Sequence, residues 1–132
     1  MILIILVASS CKITDIESTI QIRNNSEYSI STFIALPIDV GFAYPDTVLP
    51  MSKIAMQVAV PGQSNFYYFP IPLDKVLSEL PIYTLSIYYF STDTLNKYSW
   101  EEIRNNNMIL RRDDLIPPTS AVERDYWLIE YQ

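Results

Sequence analysis

Histidine is absent from this chain of 132 residues, cysteine occurs once and glycine twice. Without histidine there is no serine–histidine catalytic arrangement, no imidazole-held metal and no charge switch near neutral pH. A single cysteine, Cys11, makes neither an internal disulfide nor a thiolate zinc site. Two glycines do not supply a glycine-rich cradle for phosphate. Positive charge is scarce as well: 9 basic against 15 acidic residues give a net charge of -6. Such a surface repels phosphate backbones and has no basic stripe, which argues against nucleic acid and against electrostatic docking on anionic lipid. The opening apolar run, Met1 to Val7, is far short of the about 20 residues that a helix needs to cross a bilayer.

What the chain does have is apolar and aromatic bulk. Apolar residues make up 49%, enough to rule against global disorder, and ten are tyrosine. A chain this long fits one domain that buries roughly two-thirds of its extended surface. Tyrosine abundance with little glycine favours pleated sheets with aromatic cross-strand pairs.

In ILIILVASSCK, an apolar core at the short end of an export signal is followed by Ala8, Ser9, Ser10 and then Cys11. This resembles the lipobox of bacterial lipoprotein signals, in which cleavage before the cysteine leaves a lipid-modified thiol at the new N-terminus. The resemblance implies removal of residues 1–10 and lipidation of Cys11; the polar stretch that follows reads as a tether over 11–18 leading into a single β-rich domain over 19–132. The competing reading is a buried N-terminal strand, Ile2 to Val7, ending in an inert cysteine.

Along the domain, Thr19 to Asn24 alternates with Ile20 and Ile22 on one face. After a turn at Asn24 to Glu27, YSISTFIAL (Tyr28 to Leu36) predicts a second strand that hairpins with the first. Pro37 to Ser52, with three prolines and a glycine, reads as a loop anchored by Phe42, Tyr44 and Val48. Ile54 to Val60 alternates again with Val58 inward, and Asn65 to Phe69 is aromatic on both faces. Leu73, Val76, Leu77 and Leu80 follow helical spacing between Pro72 and Pro81. IYTLSIYYF (Ile82 to Phe90) predicts a strand with Tyr83, Leu85, Ile87 and Tyr89 inward and Thr84, Ser86 and Tyr88 outward. A turn is expected over Ser91 to Asn96, then a helix opened by the capping box Ser99-Trp100-Glu101-Glu102 with Trp100 and Ile103 on the core. Met108 to Arg111 reads as a short strand. Asp125 to Gln132 closes the chain with Trp127, Ile129 and Tyr131 inward. The sum is a mainly-β domain, an immunoglobulin-like or related β-sandwich with two short helices; the alternative is an α+β layer, one antiparallel sheet covered by those helices.

Tyr44-Pro45-Asp46-Thr47, Asp93-Thr94-Leu95, Tyr98 to Ile103 (YSWEEI), Leu110 to Leu115 (LRRDDL) and the terminal Trp127, Ile129 and Tyr131 are similar to a family of small uncharacterised lipoproteins of Bacteroides and related gut bacteria. The resemblance implies a cell-envelope location, with attachment to the outer membrane through the lipid, and brings no activity with it. Exported proteins of these bacteria commonly carry glycans at Asp-Ser/Thr-apolar triplets. On that resemblance Thr47 and Thr94 are candidate glycan acceptors, against the plainer reading of each aspartate as the start of an Asx turn.

Few side chains suggest chemistry. Glu101 and Glu102 beside Asp93 imitate a carboxylate pair, but Glu102 is explained by capping and sequence neighbours on a helix do not face each other. Arg111-Arg112-Asp113-Asp114 on a strand pairs Arg111 with Asp113 and Arg112 with Asp114 on opposite faces, a structural arrangement. The tyrosines are better candidates: in a two-layer sandwich Tyr88 and one of Tyr67 or Tyr68 point outward, and Tyr44 sits in the proline-rich loop, so Tyr44, Tyr68 and Tyr88 are the candidate interface. Against this stands the plainer reading, in which the strand tyrosines are buried beneath the two helices. The expectation is a lipid-anchored binding or assembly module with an envelope protein or glycan as partner, no enzyme, no cofactor and no metal. A structural or adhesin-type subunit, for which the apolar N-terminal run would serve as donor strand, and a small carboxylate-dependent enzyme are the alternatives.

Overall fold

The structure, a computed structural model, describes residues 17–37, 41–42, 44–117 and 125–132. The expected export signal, Cys11 and the part of the expected tether up to Ile16 lie outside the described residues.

Among the described residues seven strands form two sheets, a mainly-β sandwich. β1 (Ser18–Asn24) is the centre of a three-stranded sheet, antiparallel to β4 (Ser64–Phe69) and parallel to β7 (Tyr126–Tyr131). β2 (Ile30–Ala35) and β5 (Leu85–Ser91) are the middle of a four-stranded antiparallel sheet, flanked by β3 (Gln57–Ala59) and β6 (Arg111–Leu115). Alternation decides what each strand buries. Ile20 and Ile22 of β1, Ile30 and Ile34 of β2, Leu85, Ile87 and Tyr89 of β5, and Ile129 and Tyr131 of β7 meet in the core between the sheets. α1 (Leu73–Ser78) closes one end of that core with Leu73, Val76 and Leu77, as its spacing predicts. A polar bolt crosses the sandwich: buried Asn65 donates from Nδ2 to Thr32 Oγ1 at 2.8 Å, and the Tyr67 hydroxyl donates to the Thr32 carbonyl at 2.7 Å.

The other face of the four-stranded sheet is covered too. Phe33, Tyr88 and Phe90 are buried there with Phe42, Leu49 and Ile103, beneath the 42–56 loop, α2 (Thr92–Lys97) and α3 (Trp100–Asn105). The capping box forms: Ser99 Oγ accepts from the Glu102 N–H at 3.2 Å, and Glu102 Oε2 accepts from the Ser99 N–H at 2.9 Å. Trp100 Nε1 and Arg104 Nε donate to the carbonyls of Pro50 and Leu49, which pin the loop to α3. The loop's anchors are Phe42 and Leu49; Val48 is exposed.

Several expectations are corrected. β1 and β2 are no hairpin, since they belong to different sheets. Asn24 sends the chain across: its Nδ2 donates to the Tyr28 and Ala59 carbonyls and its Oδ1 accepts from the Ser26 N–H, a turn that arches between layers. Regular pairing in β3 starts only at Gln57, and the register Ile30↔Ala59 turns Ala59 inward and Val58 outward, 53% exposed. Ile82 and Tyr83 precede β5 in a 3-10 turn, both at positive φ, so Tyr83 is exposed rather than inward. Thr84, Ser86 and Tyr88 are buried rather than exposed: Tyr88 packs with Phe42, Leu49 and Ile103 of the covering layer, and Ser86 donates from Oγ to Asp114 Oδ1 at 2.6 Å. Ser91 to Asn96 is no turn: Ser91 caps α2. The strand expected at Met108 begins at Arg111.

Candidate binding surface

The outer face of the three-stranded sheet carries no helix or strand among the described residues. Register arranges it in rows. Tyr68, Thr19 and Tyr126 stand side by side, then Phe66, Gln21 and Leu128, then Ser64, Arg23 and Glu130. Four large apolar or aromatic side chains therefore face solvent together: Phe66, Tyr68, Tyr126 and Leu128. The Phe66 and Tyr68 rings stack with centroids 6.0 Å apart and planes 4° from parallel. Between the columns, Gln21 donates from Nε2 to Ser64 Oγ at 2.8 Å and accepts from the Tyr126 hydroxyl. The result is a flat plate, aromatic on one flank and mixed on the other, with an amide fixed at its centre.

Beside β4 the plate runs into a groove of about 620 Å³ walled by β4, β2 and the 50–57 stretch. A second hollow of about 390 Å³ continues it towards α1, sharing Leu36, Tyr68 and Phe69 with the first.

Of the three candidate interface tyrosines, only Tyr68 stands on this surface, 56% exposed. Tyr88 is corrected: it is fully buried on the far side of the four-stranded sheet, its ring stacked on Phe33 at 4.8 Å. Burial raises its ionisation above the ordinary tyrosine range, with Arg112 opposing. Tyr44 is half-buried in the loop on that same side. The three rings do not converge, because the whole sandwich separates Tyr68 from Tyr88. Tyr67 points inward to Thr32, and burial raises its ionisation as well.

Thr47 is exposed, and the Val48 N–H donates to Asp46 Oδ1 at 3.0 Å, an Asx turn. Thr94 is half-buried in the first turn of α2. The arginine–aspartate pairs lie as the strand alternation demands, with Arg111 Nε 2.8 Å from Asp113 Oδ1 and Arg112 Nη2 2.9 Å from Asp114 Oδ2. Arg111 also caps two stacked rings, 5.0 Å from the Tyr89 centroid and 5.2 Å from that of Tyr131. Among the described residues no cluster of acidic side chains is placed to hold a metal, and Glu102 is committed to its cap.

Tyr126 and Leu128 escaped the reading of the sequence. The signal was there: if Trp127, Ile129 and Tyr131 point inward, their neighbours are outward, and two of those three are large and apolar. No family model matches the chain, and neither the curated proteins nor the solved structures offer one similar to it.

Proposed function

We propose that the chain is a binding or assembly module of a bacterial cell envelope, held to the membrane by lipid on Cys11, whose partner docks on the outer face of the three-stranded sheet. The observation that carries this reading is the uncovered plate of Phe66, Tyr68, Tyr126 and Leu128. Large side chains gathered on one face, with a polar amide at the centre and Arg23 and Glu130 at the rim, are what recognition surfaces use. The small residues before Cys11 support the anchor, and an envelope protein or glycan remains the partner class. No catalytic role is assigned.

The test uses the native, anchored protein captured from its own envelope beside Tyr68→Ala and Tyr126→Ala. Co-capture of a defined partner that both substitutions abolish supports the reading. Partners that survive both, with the fold intact by circular dichroism, overturn it. Mass spectrometry of the captured chain checks the anchor: a lipidated N-terminus at Cys11 is expected, and an intact Met1 rejects it.

A further inference from the structure

Two backbone edges open into the groove beside β4. Asn24 N–H donates to the Gln63 carbonyl at 2.8 Å, which fixes the phase of the β1–β4 ladder. Asn65, Tyr67 and Phe69 therefore turn their peptide groups to β1, while Phe66 and Tyr68 turn theirs away. Phe66 is satisfied by the Gln57 side chain. Tyr68 has no partner for its N–H or C=O among the described residues.

The same alternation holds across the groove. Leu110 N–H donates to the Tyr89 carbonyl at 2.8 Å, so Tyr88 and Phe90 pair with β2, and Ile34 points its peptide groups the other way. On that side β3 has already ended: the ladder stops at Thr32↔Gln57. Continuing it would set Ala55 against Ile34, yet no bond joins them. Ile34 is only 4% exposed, so this open edge lies inside the groove. Unpaired backbone in an apolar recess is costly, and an incoming backbone is the chemistry that satisfies it.

Side chains add a polarity. Lys53 is the one charged residue lining the larger hollow and Glu79 the one lining the smaller, and neither is in an ion pair among the described residues.

We infer that this seam takes an extended peptide segment of a partner by strand addition along the free edge of β4. The peptide pairs with the N–H and C=O of Tyr68, its alternate apolar side chains enter the groove, and it carries a carboxylate at the Lys53 end and a cation at the Glu79 end. The inference rests on the binding-module reading and gives that module a partner class.

The probe is an acetylated, amidated octapeptide of alternating valine and threonine with lysine at one end and glutamate at the other, made in both orders and titrated calorimetrically into the full chain. One order is expected to bind about tenfold tighter than its reverse, since each correctly placed charge adds a favourable pair and each misplaced one a repulsion. Bound peptide should slow hydrogen exchange at the Tyr68 amide. Tyr68→Pro removes the edge donor without touching the bonds to β1 and should lower affinity at least about tenfold, whereas Tyr68→Ala keeps the donor and should lose less. A peptide N-methylated at every second residue, titrated into the unaltered chain, should not bind; this arm holds even if the proline variant fails to fold. Tyr126→Ala should leave peptide affinity unchanged while abolishing capture of the envelope partner, which separates failure at the seam from failure of the plate. Equal binding by both orders, binding by the methylated peptide, or unchanged Tyr68 exchange at saturation overturns the proposal. So does a dimer of the free chain with the Tyr68 amide already protected, which would assign the edge to a second copy.

Discussion

The side chain of Gln57 pairs with the backbone of Phe66 as a neighbouring strand would: Nε2 donates to the carbonyl at 2.7 Å and Oε1 accepts from the N–H at 3.1 Å. One amide thus stands in for a residue of the missing ladder between β3 and β4. Gln57→Ala is expected to cost about 1 kcal/mol in denaturant unfolding. It should also speed exchange of the Phe66 amide specifically. Unaltered exchange there would show that the pair does not form in solution.

The capping box of α3 has a pH signature. Ser99→Ala is expected to cost about 1 kcal/mol at neutral pH. Hydrogen bonds from the Ser99 backbone and then its hydroxyl hold the Glu102 carboxyl below its ordinary value. A depressed folded-state pKa stabilises above the unfolded value, about 4.3 for glutamate, and that stability is lost as pH falls through the folded value. Urea titrations of wild type and Glu102→Gln should therefore converge as pH drops below about 4, while the Ser99→Ala gap narrows only by the share of the hydroxyl that donates to the carboxylate. A gap of constant size would leave the carboxylate without a role in the cap.

Leu85 and Tyr83 were read onto one strand face, and the structure separates them. Leu85→Ala should cost about 2–5 kcal/mol as a fully buried core residue, and Tyr83→Ala less than about 0.5 kcal/mol. Ile82 offers the opposite sign. It is 74% exposed and holds φ 55°, ψ 31°, a left-handed conformation that a β-branched residue adopts at a cost. Ile82→Asn is expected to raise stability by about 0.5–1 kcal/mol. Thermal melts of the three variants check both statements, and a destabilised Ile82→Asn would place Ile82 in contact with something.

Four of the ten tyrosines should resist ionisation until the fold opens. Burial is the foremost cause for Tyr67, Tyr88, Tyr89 and Tyr131, and Tyr131 is pushed up to about 12 with help from the Tyr28 hydroxyl 2.8 Å away. A tyrosine raised in the folded state contributes stability that is complete below its unfolded value, about 10, and disappears as pH rises through the folded one. The tyrosinate absorbance of these four should appear only together with loss of the circular dichroism signal. Ten tyrosines titrating together near pH 10, with the fold intact, would contradict this core.

Local signals carried much of the architecture. The alternation of β1 and β7, the spacing of Leu73, Val76 and Leu77, the Ser99 box and the opposed Arg–Asp pairs are all written within a few residues of themselves. Tyr88 shows where such reading stops. Alternation sets it opposite Leu85, Ile87 and Tyr89 and leaves open whether its face is exposed or covered; Phe42, Leu49 and Ile103 decide it, since they pack with the buried ring. Nothing near Tyr88 announces a cover that arrives from forty residues upstream and ten downstream. The β1–β2 hairpin failed for a related reason: Asn24 looks like any turn asparagine until Ala59, whose carbonyl it binds, is placed. The plate was half legible, through Tyr68; joining it to Tyr126 and Leu128 required knowing that β1 lies between β4 and β7.

That neighbourhood sets a timetable for the chain's birth. β1 is among the first described segments to be synthesised and β7 the last, and they are adjacent and parallel, Ile20 opposite Trp127. Before β7 emerges, Ile20 and Ile22 can pair with β4, but the side of β1 that β7 takes has no partner among the described residues. Each nascent copy therefore carries one open edge of β1 until β7 emerges, and pairing across so long a stretch of chain forms slowly even then. Holding factors that shield open strand edges have a long opportunity on this kind of topology, and a truncation that removes Tyr126 to Tyr131 leaves that edge of β1 open for good.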